Sequence, residues 1–100
     1  MCTAVAFYRE GLYFGRNMDI DRPFGQKVVI APRGYAFPYR CRAAQPLSYA
    51  LIGMASVTDG VPLYAEAANE CGLCMAGLYF PQSASYFPPG HAADGRGTLA

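Results

Sequence analysis

Turn-forming residues cut this chain into short apolar and aromatic runs, none with a helical period of useful length, so its visible elements are β-strands. Residues 4–8 and 12–15 flank Arg9, Glu10 and Gly11, the pattern of a tight hairpin. Residues 27–31 (KVVIA) form a third strand closed by Pro32, Arg33 and Gly34, and residues 49–57 a fourth that stops before Asp59 and Gly60. A second hairpin is expected from residues 63–68 and 73–80, turning at Asn69, Glu70, Cys71 and Gly72. Beyond Pro81 the composition changes, and Pro88, Pro89, Gly90, Gly95 and Gly97 mark a surface loop. Six strands without a helix leave apolar faces that need a second sheet or covering helices. The expectation is therefore a truncated domain, with Thr98, Leu99 and Ala100 beginning an element that the chain does not complete.

The 53% share of hydrophobic residues in 100 is enough for a real core. A net charge of +1 without Lys/Arg clusters removes the electrostatic footprint of a nucleic-acid binder or a polybasic membrane anchor. No apolar run approaches the roughly 18 to 20 residues that span a bilayer, and no basic segment leads into an apolar one at the amino terminus. A soluble, cytoplasmic protein is expected, with Cys2, Cys41, Cys71 and Cys74 reduced. Cys71 and Cys74 form a CxxC, but a zinc ribbon needs a second pair, and His91 lies in the Pro/Gly-rich stretch. A redox CxxC opens a helix, whereas an apolar strand-like run follows Gly72 here. The pair reads as structural core, with metal binding as the alternative.

Cys2 follows the start methionine, so removal of Met1 puts a thiol and a free α-amine on one residue. The reference pKa values, about 7.7 to 8.0 for the amine and about 8.5 for the thiol, both lie near neutrality. A nucleophile and its general base then coincide in one amino acid. The competing reading is a buried cysteine acting as a small hydrophobe. Hairpin geometry adds to the case for chemistry. With a turn centred on residues 9–11, facing residues have numbers summing to about 19 to 21, which sets Cys2 against residues 17–19. Arg16 and Asp19 then flank the thiol, provided that a bulge or strand end near Met18 aims both towards it. A guanidinium favours thiolate, and a carboxylate can accept hydrogen bonds from the α-amine and hold it in register. The competing reading of these two residues is a surface ion pair.

Met1-Cys2-Thr3, Gly15-Arg16-Asn17-Met18-Asp19, Asn69-Glu70-x-Gly72-Leu73 and Ala76-Gly77-Leu78-x-Phe80-Pro81 together make the chain recognisable. So do Ile30-Ala31-Pro32-Arg33-Gly34-Tyr35 and Ile52-Gly53-Met54. The chain resembles, over essentially its whole length, the choloylglycine hydrolase family, which contains conjugated bile acid hydrolases and penicillin V acylases. The resemblance implies an α+β amino-terminal-nucleophile hydrolase with an αββα sandwich, of which residues 1–100 supply mainly the first β-strands of a single domain. It implies cleavage of a linear amide without metal or organic cofactor, and a homo-oligomer, tetrameric in the family, for the full-length protein.

Carried over by motif, Cys2 is the nucleophile and Arg16 and Asp19 are catalytic. Tyr79 matches the position whose backbone N–H helps to form the oxyanion hole, where one donor contributes several kcal/mol; its competing reading is an ordinary strand aromatic. Met18 is expected against the acyl group, or simply in the core. The family's later oxyanion-hole asparagine and later catalytic arginine lie beyond residue 100. The substrate implied is a glycine or taurine conjugate of a bile acid. Tyr79 stands where many bile salt hydrolases have asparagine and is similar to penicillin V acylases, which makes penicillin V the alternative substrate. A catalytically incomplete fragment, or a small β-domain using Cys71 and Cys74 for metal, is the non-enzymatic alternative.

Overall fold

The computed structural model describes residues 2–39, 43–80 and 82–83, and every regular element among them is a strand. Cys41, His91 and the expected loop carrying Pro88, Pro89, Gly90, Gly95 and Gly97 lie outside the described residues. The strands are β1 (Thr3–Tyr8), β2 (Leu12–Asn17), β3 (Lys27–Ala31), β4 (Ala36–Phe37), β5 (Gln45–Pro46), β6 (Leu51–Thr58), β7 (Val61–Asn69) and β8 (Cys74–Ala76). No helix among the described residues is long and apolar enough to cross a membrane.

β1 and β2 form the expected hairpin, with Thr3 opposite Asn17 and Tyr8 opposite Leu12. Glu10 takes the turn at φ 55°, and Phe7 stacks on Tyr13 across the strands at 5.0 Å. The second sheet has the order β3-β6-β7-β8, all neighbours antiparallel. Asp59-Gly60 closes a β6–β7 hairpin that the sequence reading left unpaired. Both residues have positive φ, 52° and 78°, as a two-residue turn matched to strand twist requires.

The β7–β8 hairpin forms at the expected turn. Asn69 Oδ1 accepts the N–H groups of Cys71 (3.0 Å) and Leu73 (2.9 Å), standing in for a backbone acceptor. β8 is shorter than the run 73–80 expected for it: the in-register bond from the Gly77 N–H to the Ala65 carbonyl (2.9 Å) closes its pairing with β7, and residues 77–80 lie outside the strand. The chain between Tyr35 and Leu47 also holds the two-residue strands β4 and β5, too short to leave a periodic signal. The CxxC reading is corrected as well. Cys71 is exposed in the β7–β8 turn and Cys74 is half-buried, so the pair is not core.

Two features fix how the second sheet holds together. Between Met54 and Ala55 the β6–β7 register shifts: Met54 faces Glu66 and Ala55 faces Tyr64, so Ala65 is an extra residue. Beside this bulge the two backbones approach so closely that a Cβ on Gly53 would sit 2.0 Å from the Glu66 carbonyl oxygen. At the other end Glu70 joins three segments. It accepts both ends of the Arg33 guanidinium (2.6 and 2.5 Å) and the Ala50 N–H (2.8 Å).

Among the described residues the buried apolar ones are small, Cys2, Ala31, Ala55 and Pro62, while Val28, Ile30 and Ile52 remain exposed on the sheet. Strands patterned for burial here present an open apolar face.

Gly53→Ala is expected to destabilise the intact protein by about 3 kcal/mol, the upper end of overpacking costs, as read by urea unfolding. Gly11→Ala, with open space around it, should cost less than about 0.5 kcal/mol. The Arg33 pair and the Ala50 N–H bring the Glu70 carboxyl down to about 2 from an ordinary 4.5. A depressed carboxyl stabilises the fold above its unfolded pKa and loses that contribution as pH falls through the folded one. Glu70→Gln should therefore flatten the pH dependence of stability between about pH 5 and 2.

Candidate active site

Residues 2, 16, 18 and 79 come together at one cavity of ≈ 340 Å³, lined also by Ile20, Tyr64, Ala65, Gly77 and Leu78. Its lining comes from places where regular pairing stops. Cys2 precedes β1, Met18 and Ile20 follow the last residue of β2, and Gly77, Leu78 and Tyr79 follow β8. β2 ends at Asn17, which supplies the strand end that the hairpin argument required near Met18.

Cys2 is buried, with 8% of its surface exposed. Its thiol is nevertheless held below the ordinary value. The backbone N–H of Asp19 lowers it most and that of Tyr79 next; burial opposes them and the Arg16 charge assists. Hydrogen bonds donated to the charged form favour thiolate by the same logic that lowers a carboxyl accepting amide N–H groups. Asp19 thus brings a backbone donor to the sulfur, a contribution that its carboxylate gave no hint of. The Tyr79 N–H reaches the sulfur while the Tyr79 side chain is exposed.

Arg16 reaches the site from β2 with 5% of its side chain exposed. Its Nη2 donates to the Gly77 carbonyl, and Nη1 lies 3.3 Å from Glu66 Oε2. Nε and Nη1 make no hydrogen bond despite burial. A guanidinium so placed offers open N–H donors and positive charge at the wall of a thiol cavity.

Asn17 ties the Cys2 end of β1 to the next segment. Its Oδ1 accepts the Thr3 N–H (2.8 Å) and its Nδ2 donates to Asp19 Oδ1 (3.3 Å). The role expected of the Cys2 α-amine depends on Met1, which lies outside the described residues. Glu66 and Asn17 were missed by sequence reasoning. Glu66 carried a signal, a single carboxylate among alanines in a strand, and Asn17 stood inside a motif valued only for its charged members.

Walls of apolar side chains around a thiol, with backbone donors and a cation that favour its charged form, suit nucleophilic attack on an uncharged carbonyl. Among the described residues no group of three or more His, Cys, Asp or Glu side chains could hold a metal.

Comparison with known proteins agrees with that chemistry. Residues 2–94 match the family model of the linear amide C–N hydrolases. Within that class, the chain belongs to the choloylglycine hydrolase family. It is 43% identical over 88 residues to the conjugated bile acid hydrolase of Lactobacillus gasseri, covering 86% of this chain and 28% of that protein. It is 41% identical over 86 residues to the bile salt hydrolase/transferase of Lactiplantibacillus plantarum, covering 86% of this chain and 26% of that protein. The crystal structure of a mutant conjugated bile acid hydrolase from Clostridium perfringens superposes with a TM-score of 0.76 at 36% identity, over 86% of this chain and 27% of that one. The chain thus spans little more than a quarter of the length of these relatives.

The alkylation rate of Cys2 by iodoacetamide, followed on its own peptide by mass spectrometry, should fall on acidification with a midpoint below the about 8.5 of a free thiol. Arg16→Gln should move that midpoint to higher pH, because it removes a charge that favours thiolate.

Proposed function

We propose that this chain is the amino-terminal part of a single-domain conjugated bile acid hydrolase, in which Cys2, freed by removal of Met1, cleaves the amide joining a bile acid to glycine or taurine. The observation that carries the reading is the convergence of Cys2, Arg16, Met18 and Tyr79 on one apolar-walled cavity in which the thiol is held below its ordinary value. The names of its relatives supply the substrate class. The domain is of the αββα kind, and the open apolar face at Val28, Ile30 and Ile52 is what covering layers would bury. We place the protein in the cytoplasm, where its thiols stay reduced, and expect a homo-oligomer.

In the reaction, the Cys2 thiolate attacks the amide carbonyl carbon, and the carbonyl electron pair moves to oxygen. The Tyr79 N–H stabilises that oxyanion. The intermediate collapses to a thioester as the C–N bond breaks, and the protonated α-amine gives its proton to the leaving nitrogen. The same amine then takes a proton from water, which attacks the thioester and releases bile acid and thiol. Asp19 holds the α-amine, and Arg16 favours the thiolate. Met18 touches the acyl group with Ile20 and Leu78 beside it. Tyr79 favours a second reading, in which the acyl group is the phenoxyacetyl of penicillin V.

The test uses the full-length protein with glycine and taurine conjugates of bile acids and with penicillin V side by side. Release of glycine or taurine at a kcat/KM above that for phenoxyacetic acid is expected; the reverse order selects the second reading. Cys2→Ala should lower kcat by about 10³-fold or more, as for loss of a nucleophile. Intact mass should show Met1 removed, and its retention in active enzyme would rule out the amine base.

A further inference from the structure

Glu66 is a charge set in an apolar row. The register places it opposite Met54 on β6 and Ala76 on β8, and Val28 on β3 continues the row beyond Met54. Its side chain keeps 15% exposure, so an unpaired carboxylate there would be held away from water at a cost. Arg16, more deeply buried, is its counter-ion at 3.3 Å.

The pairing is built on the β7–β8 ladder. Ala65, the extra residue, presents its carbonyl to the Gly77 N–H, and the Gly77 carbonyl in turn accepts from Arg16 Nη2. The residue next to it in β7 is Glu66 itself. Neighbouring residues of β7 therefore set both groups that Arg16 meets, Glu66 directly and the Gly77 carbonyl through the Ala65–Gly77 pair, and the absence of a side chain on Gly53 leaves room for that backbone. Arg16 lines the cavity with Cys2, whereas Glu66 does not.

We propose that Glu66 is a positioning residue for Cys2, acting through Arg16: it holds the guanidinium against the wall of the thiol cavity and touches neither the sulfur nor the substrate. The inference rests on Cys2 as the nucleophile. Charged and titratable groups near the sulfur are the amino terminus, Arg16 from β2, Asp19 beyond it, Tyr64 from β7 and Tyr79 after β8; Glu66 reaches it only through Arg16. The opposite effect is the real competitor, because a carboxylate beside Arg16 also offsets part of the positive charge that the thiol feels.

Glu66→Ala in the intact protein separates the two. Positioning predicts that the midpoint of Cys2 alkylation moves to higher pH by about half a unit or more, because Arg16 leaves the sulfur. It also predicts that kcat on the preferred conjugate falls about tenfold while KM stays within about threefold. A midpoint that stays put or moves to lower pH overturns the proposal, as does a fall in melting temperature with midpoint and kcat unchanged. Should the alanine variant not fold, Glu66→Gln decides. It keeps the length but not the charge, so the ion pair with Arg16 is lost and a three- to tenfold fall in kcat is expected. An unchanged kcat in that variant overturns the proposal. Alkylation needs no substrate, so a protein inactive on bile conjugates would refute the substrate assignment and leave the midpoint to judge Glu66.

Discussion

The structure around the thiol depends on how one buried cation is satisfied. Arg16 belongs to the β1–β2 hairpin, yet its partners, Glu66 and the Gly77 carbonyl, belong to the four-stranded sheet and its exit. A guanidinium taken out of water must find acceptors, and these lie across a sheet boundary that no backbone ladder crosses. The cavity opens where the two bodies meet. The ion pair is therefore a condition for the site's geometry as much as a source of charge.

Ends of strands provide what their middles cannot. Inside a ladder alternate N–H groups are committed to the neighbouring strand and the geometry of the rest is fixed by the pleat, whereas after Asn17 and after Ala76 the backbone leaves the strand and can turn its donors towards the sulfur. Two of these, from Asp19 and Tyr79, reach the Cys2 sulfur. Where β8 ends, the Gly77 N–H still pairs in register with the Ala65 carbonyl, which leaves the Gly77 carbonyl to accept from Arg16. The ends of β2 and β8 thus converge on one atom and its cation.

Much of this was legible in the residues. The Arg9–Gly11 turn sets the hairpin register, and with it the nearness of Arg16 and Asp19 to Cys2, because pairing in a tight hairpin follows from turn position alone. KVVIA was read with its bounds intact, since β-branched residues between turn formers leave little choice. Other features depend on atoms far apart in the chain. The bulge at Ala65 arises between two strands of ordinary composition, and the close approach at Gly53 is a property of the pair. Cys71 was misread for a related reason: a cysteine beside an apolar run looks like core, and only the Asn69 turn shows it facing outwards. Glu66 is the instructive omission, because a lone carboxylate in a half-buried strand asks for a cation, and Arg16 had already been given another task.

The stronger influences on the sulfur come from peptide planes, and this affects how the site can change over generations. A donor carried by the main chain survives almost any exchange of the side chain it belongs to; only proline abolishes it. The Tyr79 ring is exposed while its N–H reaches the Cys2 sulfur, so an exchange of that side chain is free to reshape the cavity mouth and leave the donor in place. The shape of the cavity mouth and the state of the thiol are thereby inherited separately at a single residue, so one can drift while the other is kept.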